Sequence, residues 1–319
     1  MLTNALWHLS KSQSAILPIK QTRNTETDLE IKTLYSLIST GTERLVATGQ
    51  VPIGLQEKMR VSYMKGYFTF PIKYGYSLVG EVQSEGVWQG QLVHLMHPHQ
   101  DSVWVPETAV TLLPKEVSPK LATLASNMET ALNAVWDSQV TIGDRVVVIG
   151  FGMIGALVTR LLSLLPAVEV FVVEANEYRQ QLAQEMGFQL LPKGLQNFDC
   201  SFHTSASSSG LQQAIDLVGK EGTILELSWY GARETTIQLG SNFHYQRKRI
   251  LSSQVGQIPP TKSPRWTYQR RKKVVFDLLK NPLFETHLTQ ELSLSETPAF
   301  FDQLRTGDLP NGLGWVIKY

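Results

Sequence analysis

The chain has a single cysteine, almost no net charge and no long apolar run. Because Cys200 stands alone, an internal disulfide and a zinc site built from several cysteines are both excluded. The longest uncharged apolar stretch, residues 146–159, is shorter than the roughly 20 residues that cross a bilayer. A net charge of +1 gives no general attraction to nucleic acid or to an anionic membrane. We therefore expect neither of these partners.

The sequence also has little that resembles a targeting signal. Its first residues lack the basic start and the apolar core of a signal peptide. Together with the single cysteine, this favours a reducing, cytoplasmic location. A length of 319 residues exceeds the size at which one hydrophobic core usually keeps growing, so we expect two domains.

Two different patterns follow one another along the chain. Residues 1–118 contain short strand-like runs punctuated by turn residues, which is typical of a small, barrel-like all-β domain. From Ser118 strands and helices alternate, which indicates a parallel, doubly wound sheet. The clearest predicted elements are helices over 121–136, 178–186, 209–218 and 266–279, and strands over 198–203, 223–227 and 314–319.

The run from Arg145 to Gly155 combines a buried strand, a glycine turn and the start of a helix. Gly150, Gly152 and Gly155 have the G-x-G-x-x-G spacing of a dinucleotide site. In such a site the first glycine lets the strand turn sharply. The second lets the backbone approach a pyrophosphate, and the third lets the helix pack close to its strand.

The surroundings of this turn fit a bound dinucleotide. The helix that begins at Met153 and Ile154 directs unpaired N–H groups and a partial positive charge at the phosphates. The next buried strand, residues 168–174, ends in Glu174, whose carboxylate can hold the ribose hydroxyls of NAD and repel the extra phosphate of NADP. A reversed preference would show that a basic side chain such as Arg179 overrides the acid. The alternative is a strand–helix–strand unit that binds no nucleotide, with Glu174 as a solvated strand end.

Ligands of doubly wound sheets lie beyond the carboxyl ends of the strands. This rule places Thr204 and Ser205, which follow the strand over 198–203, near the cofactor. It also makes Trp229 and Tyr230 candidate walls of the nicotinamide or substrate pocket. Aromatic core packing is the alternative for Trp229.

Four segments resemble the medium-chain dehydrogenase/reductase superfamily, which joins a GroES-like substrate domain to a Rossmann domain. They are residues 38–43, 71–82, 143–155 and the closing segment from Leu294. The chain looks most like a short, zinc-less subgroup related to the bacteriochlorophyllide dehydrogenase branch. The resemblance implies an α/β fold class, with a GroES-like β-barrel domain formed by residues 1–118 and 259–319. A Rossmann domain with a doubly wound parallel sheet would occupy residues 119–258.

The same resemblance implies a function. It predicts an NAD(P)-dependent oxidoreductase that moves a hydride to or from a small-molecule carbonyl, alcohol or conjugated ring. It also predicts a homodimer, in which the Rossmann sheets pair edge to edge. The other possibility is a redox sensor or scaffold that binds nucleotide and has lost catalysis.

The chain departs from zinc-containing members of the family at all three metal ligands. Thr40, Tyr76 and Ser126 stand at or near the positions of their Cys, His and Cys or Glu. Zinc needs thiolate, imidazole or carboxylate ligands, so neutral hydroxyls are poor substitutes. We therefore expect no catalytic metal, and the single cysteine removes the family's four-cysteine structural zinc as well.

Without zinc, another group must handle the proton. Tyr76 is one candidate, because its phenol can donate a proton to a carbonyl oxygen, although it can equally be packed in the barrel. Glu129 can act as a general base or replace a lost metal ligand, and the alternative is a helix acid favoured by the dipole. The resemblance gives Thr130 a contact with the nicotinamide carboxamide. It gives Glu43 the place of an acid that orients a histidine ligand, and because that ligand is absent we expect a structural role.

Two further clusters remain open. His94, His97 and His99 cannot converge on one metal ion from a single straight strand, so we expect a turn that lines the substrate cleft. The basic groups over 247–249 and 270–273 could hold an anionic substrate tail, but we interpret them as solvated surface.

Overall fold

The computed structural model describes residues 2–319 of the chain. These residues form two compact units. The first unit comprises the chain up to Ser126 together with Phe276–Tyr319, and the second comprises Asn127–Val275.

Strands dominate the early part of the chain, and helices alternate with strands in the middle. The elements up to residue 122 are β1 (Leu2–Ser10), β2 (Gln13–Lys20), β3 (Asp28–Ile38), α1 (Thr40–Ala47), β4 (Lys65–Gly66), β5 (Ile72–Lys73), β6 (Leu78–Val82), β7 (Leu92–Leu95), β8 (Ser102–Pro106), β9 (Val110–Leu112) and α2 (Pro119–Ala122). The next are α3 (Ala125–Ser138), β10 (Arg145–Ile149), α4 (Met153–Ser163), β11 (Glu169–Val173), α5 (Glu177–Glu185), β12 (Gln189–Leu190), β13 (Phe198–His203), α6 (Ser208–Leu217), β14 (Val218–Glu226), α7 (Asn242–Tyr245) and β15 (Arg249–Ser252). The last are α8 (Tyr268–Leu279), β16 (Gln290–Ser293), α9 (Thr297–Thr306) and β17 (Trp315–Lys318).

The first unit is built on two largely antiparallel sheets. One has the strand order β2-β1-β5-β4. The other has the order β16-β17-β3-β6-β7-β9, and β8 also pairs with β3. Alternate residues of β3 and β8 point inward, so Ile31, Val103 and Val105 are fully buried beside Leu78 and Val93.

The second unit contains a six-stranded parallel sheet with the order β12-β11-β10-β13-β14-β15. Its central strand β10 is apolar from Val146 to Ile149 on both faces, as expected for a parallel strand covered by helices on each side. The predicted α/β class with a Rossmann-like parallel sheet is confirmed. Within residues 2–319, no helix is both long and apolar enough to cross a membrane.

Several predicted elements differ from the structure at their ends. The helix predicted over 121–136 is two helices, α2 and α3. The Ser118 side chain caps α2 by accepting from the Leu121 N–H, and Pro119 occupies its first turn. The Leu124 N–H then donates to the Leu121 carbonyl, a tighter turn that ends α2. Strand β14 begins at Val218, five residues before the predicted start at Thr223.

His8 makes the first unit sensitive to acid. It is buried in β1, where its Nδ1 lies 2.8 Å from the Ser14 hydroxyl. Burial, followed by the nearby Arg305 guanidinium, lowers the pKa of His8 to about 3. The unfolded chain takes up this proton near pH 6.5, whereas the folded protein does not until about pH 3. Stability is therefore lost as the pH falls through this window.

We expect this loss to be measurable by urea unfolding followed by circular dichroism. Between pH 7 and pH 4.5 His8 alone should remove on the order of 3 kcal/mol from the free energy of unfolding. A His8→Gln variant should show a correspondingly smaller difference between the two pH values. An equal difference in both proteins would show that His8 does not titrate in this way.

Candidate functional site

The glycine turn lies between β10 and α4. Gly150 has a φ of +99°, and a Cβ there would lie 2.9 Å from Thr204 Oγ1 and 3.0 Å from the Ser205 backbone nitrogen. A Cβ on Gly155 would lie 1.9 Å from the Gly150 carbonyl oxygen. The fold itself therefore requires glycine at both positions.

Gly152 differs from these two glycines. It is the N-cap of α4 with a φ of −79°, an ordinary value for any residue. A Cβ there would meet no protein atom within 4 Å. The fold does not require glycine at this position, so the space above Gly152 is available to a ligand. Met153 and Ile154 follow it as the first residues of α4.

Glu174 places a carboxylate beside the glycine turn. One oxygen accepts the Phe151 N–H at 2.6 Å, and the other accepts the N–H groups of Ala175 and Asn176 at 2.8 Å each. These three donors fix the carboxylate at the carboxyl end of β11. Arg179 lies in the first turn of α5, where its N–H is capped by the Asn176 side chain.

A hydrogen-bonded chain lies at the carboxyl ends of β13 and β14. His203 Nδ1 lies 2.8 Å from Glu226 Oε2, and His203 Nε2 lies 2.8 Å from the Ser205 hydroxyl. The Tyr230 hydroxyl donates to the same Glu226 oxygen at 3.1 Å. The Ser228 N–H donates to the other Glu226 oxygen at 2.7 Å. This arrangement connects Ser205 and Tyr230, two predicted ligand-binding residues, through two residues that the sequence did not single out.

The charge state of this chain follows from its contacts. Burial is the largest effect on Glu226 and opposes its ionisation. The hydrogen bond and charge of His203, together with the hydrogen bonds from Ser228, outweigh burial, and the pKa of Glu226 is lowered. Burial and the Glu226 charge raise the pKa of Tyr230, which keeps its phenol protonated as a donor. Because Glu226 is a carboxylate, His203 Nδ1 donates to it, and His203 Nε2 contacts the Ser205 hydroxyl.

Tyr76 lies in the first unit, between β5 and β6. The Ser126 hydroxyl donates to the Tyr76 carbonyl at 2.8 Å, so the structure brings together two of the three positions that replace zinc ligands. Tyr76 as a whole is half-buried, and its phenol forms hydrogen bonds with the Ser39 and Thr42 side chains. Burial raises the pKa of Tyr76 to about 12, and the two hydroxyls partly offset this effect. Thr40 begins α1 next to these residues in sequence.

Glu43 pairs with a histidine that is not at any of the three positions that replace zinc ligands. Its Oε2 lies 3.0 Å from His99 Nε2, and its Oε1 accepts the Ser39 N–H at 2.7 Å. His99 Nδ1 contacts the Ser36 hydroxyl at 2.8 Å, and that hydroxyl contacts Tyr319 Oη at 2.8 Å. The partner comes from the connection after β7, far from Glu43 in sequence.

The three histidines of the cluster face different partners. His94 Nε2 lies 3.1 Å from the Ser77 hydroxyl, and His97 Nδ1 donates to the Pro98 carbonyl at 2.8 Å. All three histidines are buried. Across the described residues, no group of three or more histidine, cysteine, aspartate or glutamate side chains is arranged to hold a metal ion.

Glu129 lies in α3 within a buried ion-pair network. Its Oε1 lies 3.2 Å from Arg271 Nε, and its Oε2 pairs with the Lys272 ammonium. Arg271 also donates to Asn133 Oδ1 at 3.0 Å. Arg271 is 4% exposed, so the interpretation of the basic run over 270–273 as solvated surface is wrong at that residue. Thr130, the next residue of α3, is half-buried.

This network predicts a structural cost for neutralising Glu129. In a Glu129→Gln variant both cations lose their counter-charge, while the shape and one acceptor oxygen remain. We expect the free energy of unfolding to fall by about 2 kcal/mol in urea titrations. Glu177→Gln, an exposed acid in the first turn of α5, is the matched control and should cost less than about 0.5 kcal/mol. Equal stability of Glu129→Gln and the parent would show that the network contributes nothing.

A parallel six-stranded sheet with a glycine turn, together with a largely antiparallel β unit, is the architecture of medium-chain dehydrogenases. No protein-family model matches the sequence. D-guloside 3-dehydrogenase of Escherichia coli (strain K12) is 28% identical over 183 residues, which are 53% of this chain and 52% of that protein. The chain thus spans about half the length of the curated relatives that it matches first.

Two solved structures share the whole fold. 2R,3R-butanediol dehydrogenase from Bacillus subtilis has a TM-score of 0.79 at 20% identity, and 100% of both chains is covered. A protein described as a zinc-binding dehydrogenase, from Sinorhizobium meliloti 1021 with NADP bound, has a TM-score of 0.78 at 17% identity, again over 100% of both chains. The comparisons support the predicted resemblance to the medium-chain, alcohol dehydrogenase-like superfamily.

Proposed function

We propose that the protein is an NAD(P)-dependent oxidoreductase that transfers a hydride to or from a small-molecule carbonyl, alcohol or conjugated ring. The observation that carries this proposal is the open space above Gly152 beside the Glu174 carboxylate. No contact within the protein requires glycine at position 152, and the neighbouring N–H groups suit a pyrophosphate. Titration of purified protein against NADH fluorescence tests it, and absence of binding at millimolar cofactor would overturn it.

Cofactor binding and proton donation are assigned to particular residues of the chain. A bound nicotinamide would supply or accept the hydride. Gly150, Gly152, Met153, Ile154 and Gly155 would hold the pyrophosphate, and Thr130, Ser205 and Tyr230 would lie along the nicotinamide end. Tyr76 is the proposed proton donor, because its phenol remains protonated at neutral pH and can donate to an oxygen that gains negative charge.

We further propose that the cofactor is NAD rather than NADP. The Glu174 carboxylate lies at the end of β11, where it would accept ribose hydroxyls and repel a 2′-phosphate. NADH should bind more tightly than NADPH, and Glu174→Ser should reduce the difference at least tenfold. Tighter NADPH binding to the parent protein would instead indicate that Arg179 dominates.

Catalysis in this proposal needs no zinc. Thr40, Tyr76 and Ser126 offer neutral oxygens in place of the thiolate and imidazole ligands that zinc requires, so the residues present do not fit the metal. The proposal therefore assigns the chain to the zinc-less subgroup. Elemental analysis after dialysis against a chelator tests this, and stoichiometric zinc that survives would contradict it.

A second candidate function is nucleotide binding without turnover, as in a redox sensor or scaffold. The observation that favours it concerns Glu129, the other candidate for proton transfer. Two cations hold the Glu129 carboxylate, which ties it up in ion pairs and does not leave it to act as a base. A substrate screen separates the two functions. The panel should include aldehydes, quinones and cyclic enones with NADH, and diols and glycosides with NAD, since the E. coli relative is named for a guloside. Tight NADH binding with no turnover across the panel would favour the sensor.

We also propose that two copies pair through β15. This strand is at the edge of the six-stranded sheet, and Ile250 and Leu251 on it are 38% and 42% exposed. An exposed apolar edge strand is a template for strand pairing, which a lysine disrupts. Leu251→Lys should therefore convert a dimer into a monomer in sedimentation at micromolar concentration.

The control for the dimer experiment is Leu164→Lys, which alters a similarly exposed leucine at the end of α4 and should remain dimeric. A monomeric parent protein would contradict the proposal.

A further inference from the structure

A small cavity lies within the first unit, away from the glycine turn in sequence. It encloses about 230 Å³ and is lined by the end of β2, by β4 and β5, and by the connection after β7. Its wall contains three lysines, Lys20, Lys65 and Lys73, and no carboxylate. Among residues 2–319, none of the ion pairs involves any of these lysines. We call this cavity the Lys73 pocket.

Lys73 is the unusual member of this set. It is 1% exposed, and its Nζ donates to Gln100 Oε1 at 2.5 Å. Burial, followed by repulsion from Lys65, lowers the pKa of Lys73 to about 7. A buried ammonium with one neutral partner is costly, and an anion in the pocket would offset that cost.

The aromatic groups of the pocket remain neutral. His97 Nδ1 donates to the Pro98 carbonyl, which leaves Nε2 as an acceptor, and burial followed by the Lys73 charge lowers the pKa of His97. The Tyr63 ring stacks on His97 with 5.1 Å between centroids. Trp104 lines the same cavity, and the Arg23 guanidinium carbon lies 5.7 Å from the centroid of its ring. The pocket thus combines flat apolar walls with an excess of positive charge.

We propose that the Lys73 pocket binds a small organic anion, with Lys73 and Lys65 holding its carboxylate or phosphate group and Tyr63 and Trp104 flanking its body. The volume is below the roughly 300–1,000 Å³ of sites for drug-sized ligands, which limits the ligand to a small molecule. This site goes beyond the proposed oxidoreductase function, since none of the residues that carry it was assigned to the cofactor or to proton transfer.

Pyridoxal 5′-phosphate is a suitable probe, because it is both an anion and an aldehyde. The neutral amine of a lysine adds to its aldehyde carbon and expels one water to form an imine. Borohydride then delivers a hydride to the imine carbon and leaves a stable secondary amine that mass spectrometry locates. At pH 7.5 we expect Lys73 to be labelled at least tenfold faster than Lys115, an exposed lysine of the same unit. Inorganic phosphate should slow the labelling of Lys73 and leave the labelling of Lys115 unchanged.

Two variants complete the test. Lys65→Met changes an exposed side chain, so it should fold normally, and it should weaken protection by phosphate at least fivefold. Lys73→Met should abolish the fast label. Equal labelling of Lys73 and Lys115 would overturn the proposal. Fast labelling of Lys73 that phosphate does not slow would overturn it too, because it would indicate a reactive amine without an anion site.

Discussion

A Gly152→Ala variant should fold normally and lose its affinity for NADH. The added Cβ meets no protein atom within 4 Å, and the backbone φ of −79° suits alanine. The loss of a favourable N-cap residue should cost at most about 1 kcal/mol of stability. If a pyrophosphate approaches the backbone at this point, the methyl group occupies its place, and we expect affinity to fall on the order of 10²-fold or more.

Two variants make this result specific. Gly240→Ala is a control in the same unit, because a Cβ there also meets no protein atom within 4 Å, and both stability and affinity should be unchanged. Gly155→Ala should instead destabilise the unit, since its Cβ would overlap the Gly150 carbonyl. Unaltered NADH binding by Gly152→Ala would remove the glycine turn from the proposed site.

A Tyr76→Phe variant should bind NADH normally and turn over at least 10²-fold more slowly, the usual scale for loss of a general acid. The phenol is the only part removed, so the packing of the ring is retained. With a pKa of about 12, Tyr76 should remain protonated throughout the range in which the protein is folded. The pH profile of the parent should therefore show no loss of a proton donor below about pH 11.

Tyr74→Phe is the matched control for this experiment. Its ring lies 6.0 Å from that of Tyr76, but it is 2% exposed and so cannot contact a substrate. We expect its turnover to stay within a few-fold of the parent. Equal turnover of Tyr76→Phe and the parent would exclude Tyr76 from the mechanism.

Much of the second unit could be predicted from sequence because its signals are local. The buried run of β10 is continuous, and β13 begins and ends where predicted, at Phe198 and His203. The position of Glu174 followed from counting along one strand–helix–strand unit. Such features depend on residues close in sequence, so periodicity and turn residues indicate them.

The polar networks could not be predicted in the same way, because they depend on pairings across the fold. His203 meets Glu226 only because β13 and β14 pair in parallel with these two residues in register. The available signal was that each residue is polar at the end of an apolar strand. His99 meets Glu43 across 56 residues, and nothing in either segment indicates the other.

Charge patterning was misleading for a related reason. A run of four basic residues is typical of a solvated face, yet Arg271 turns inward to reach Glu129, 142 residues away. Nothing in the sequence around Glu129 indicates that Arg271 is its partner.

The central claim is that the chain transfers a hydride without a metal. The most direct measurement is the decrease in NADH absorbance in the presence of the acceptor panel, using protein dialysed against a chelator and shown by elemental analysis to be free of zinc. We predict that the metal-free protein oxidises NADH with at least one acceptor, at a rate that added zinc does not raise. Activity that appears only after zinc is restored would contradict the claim.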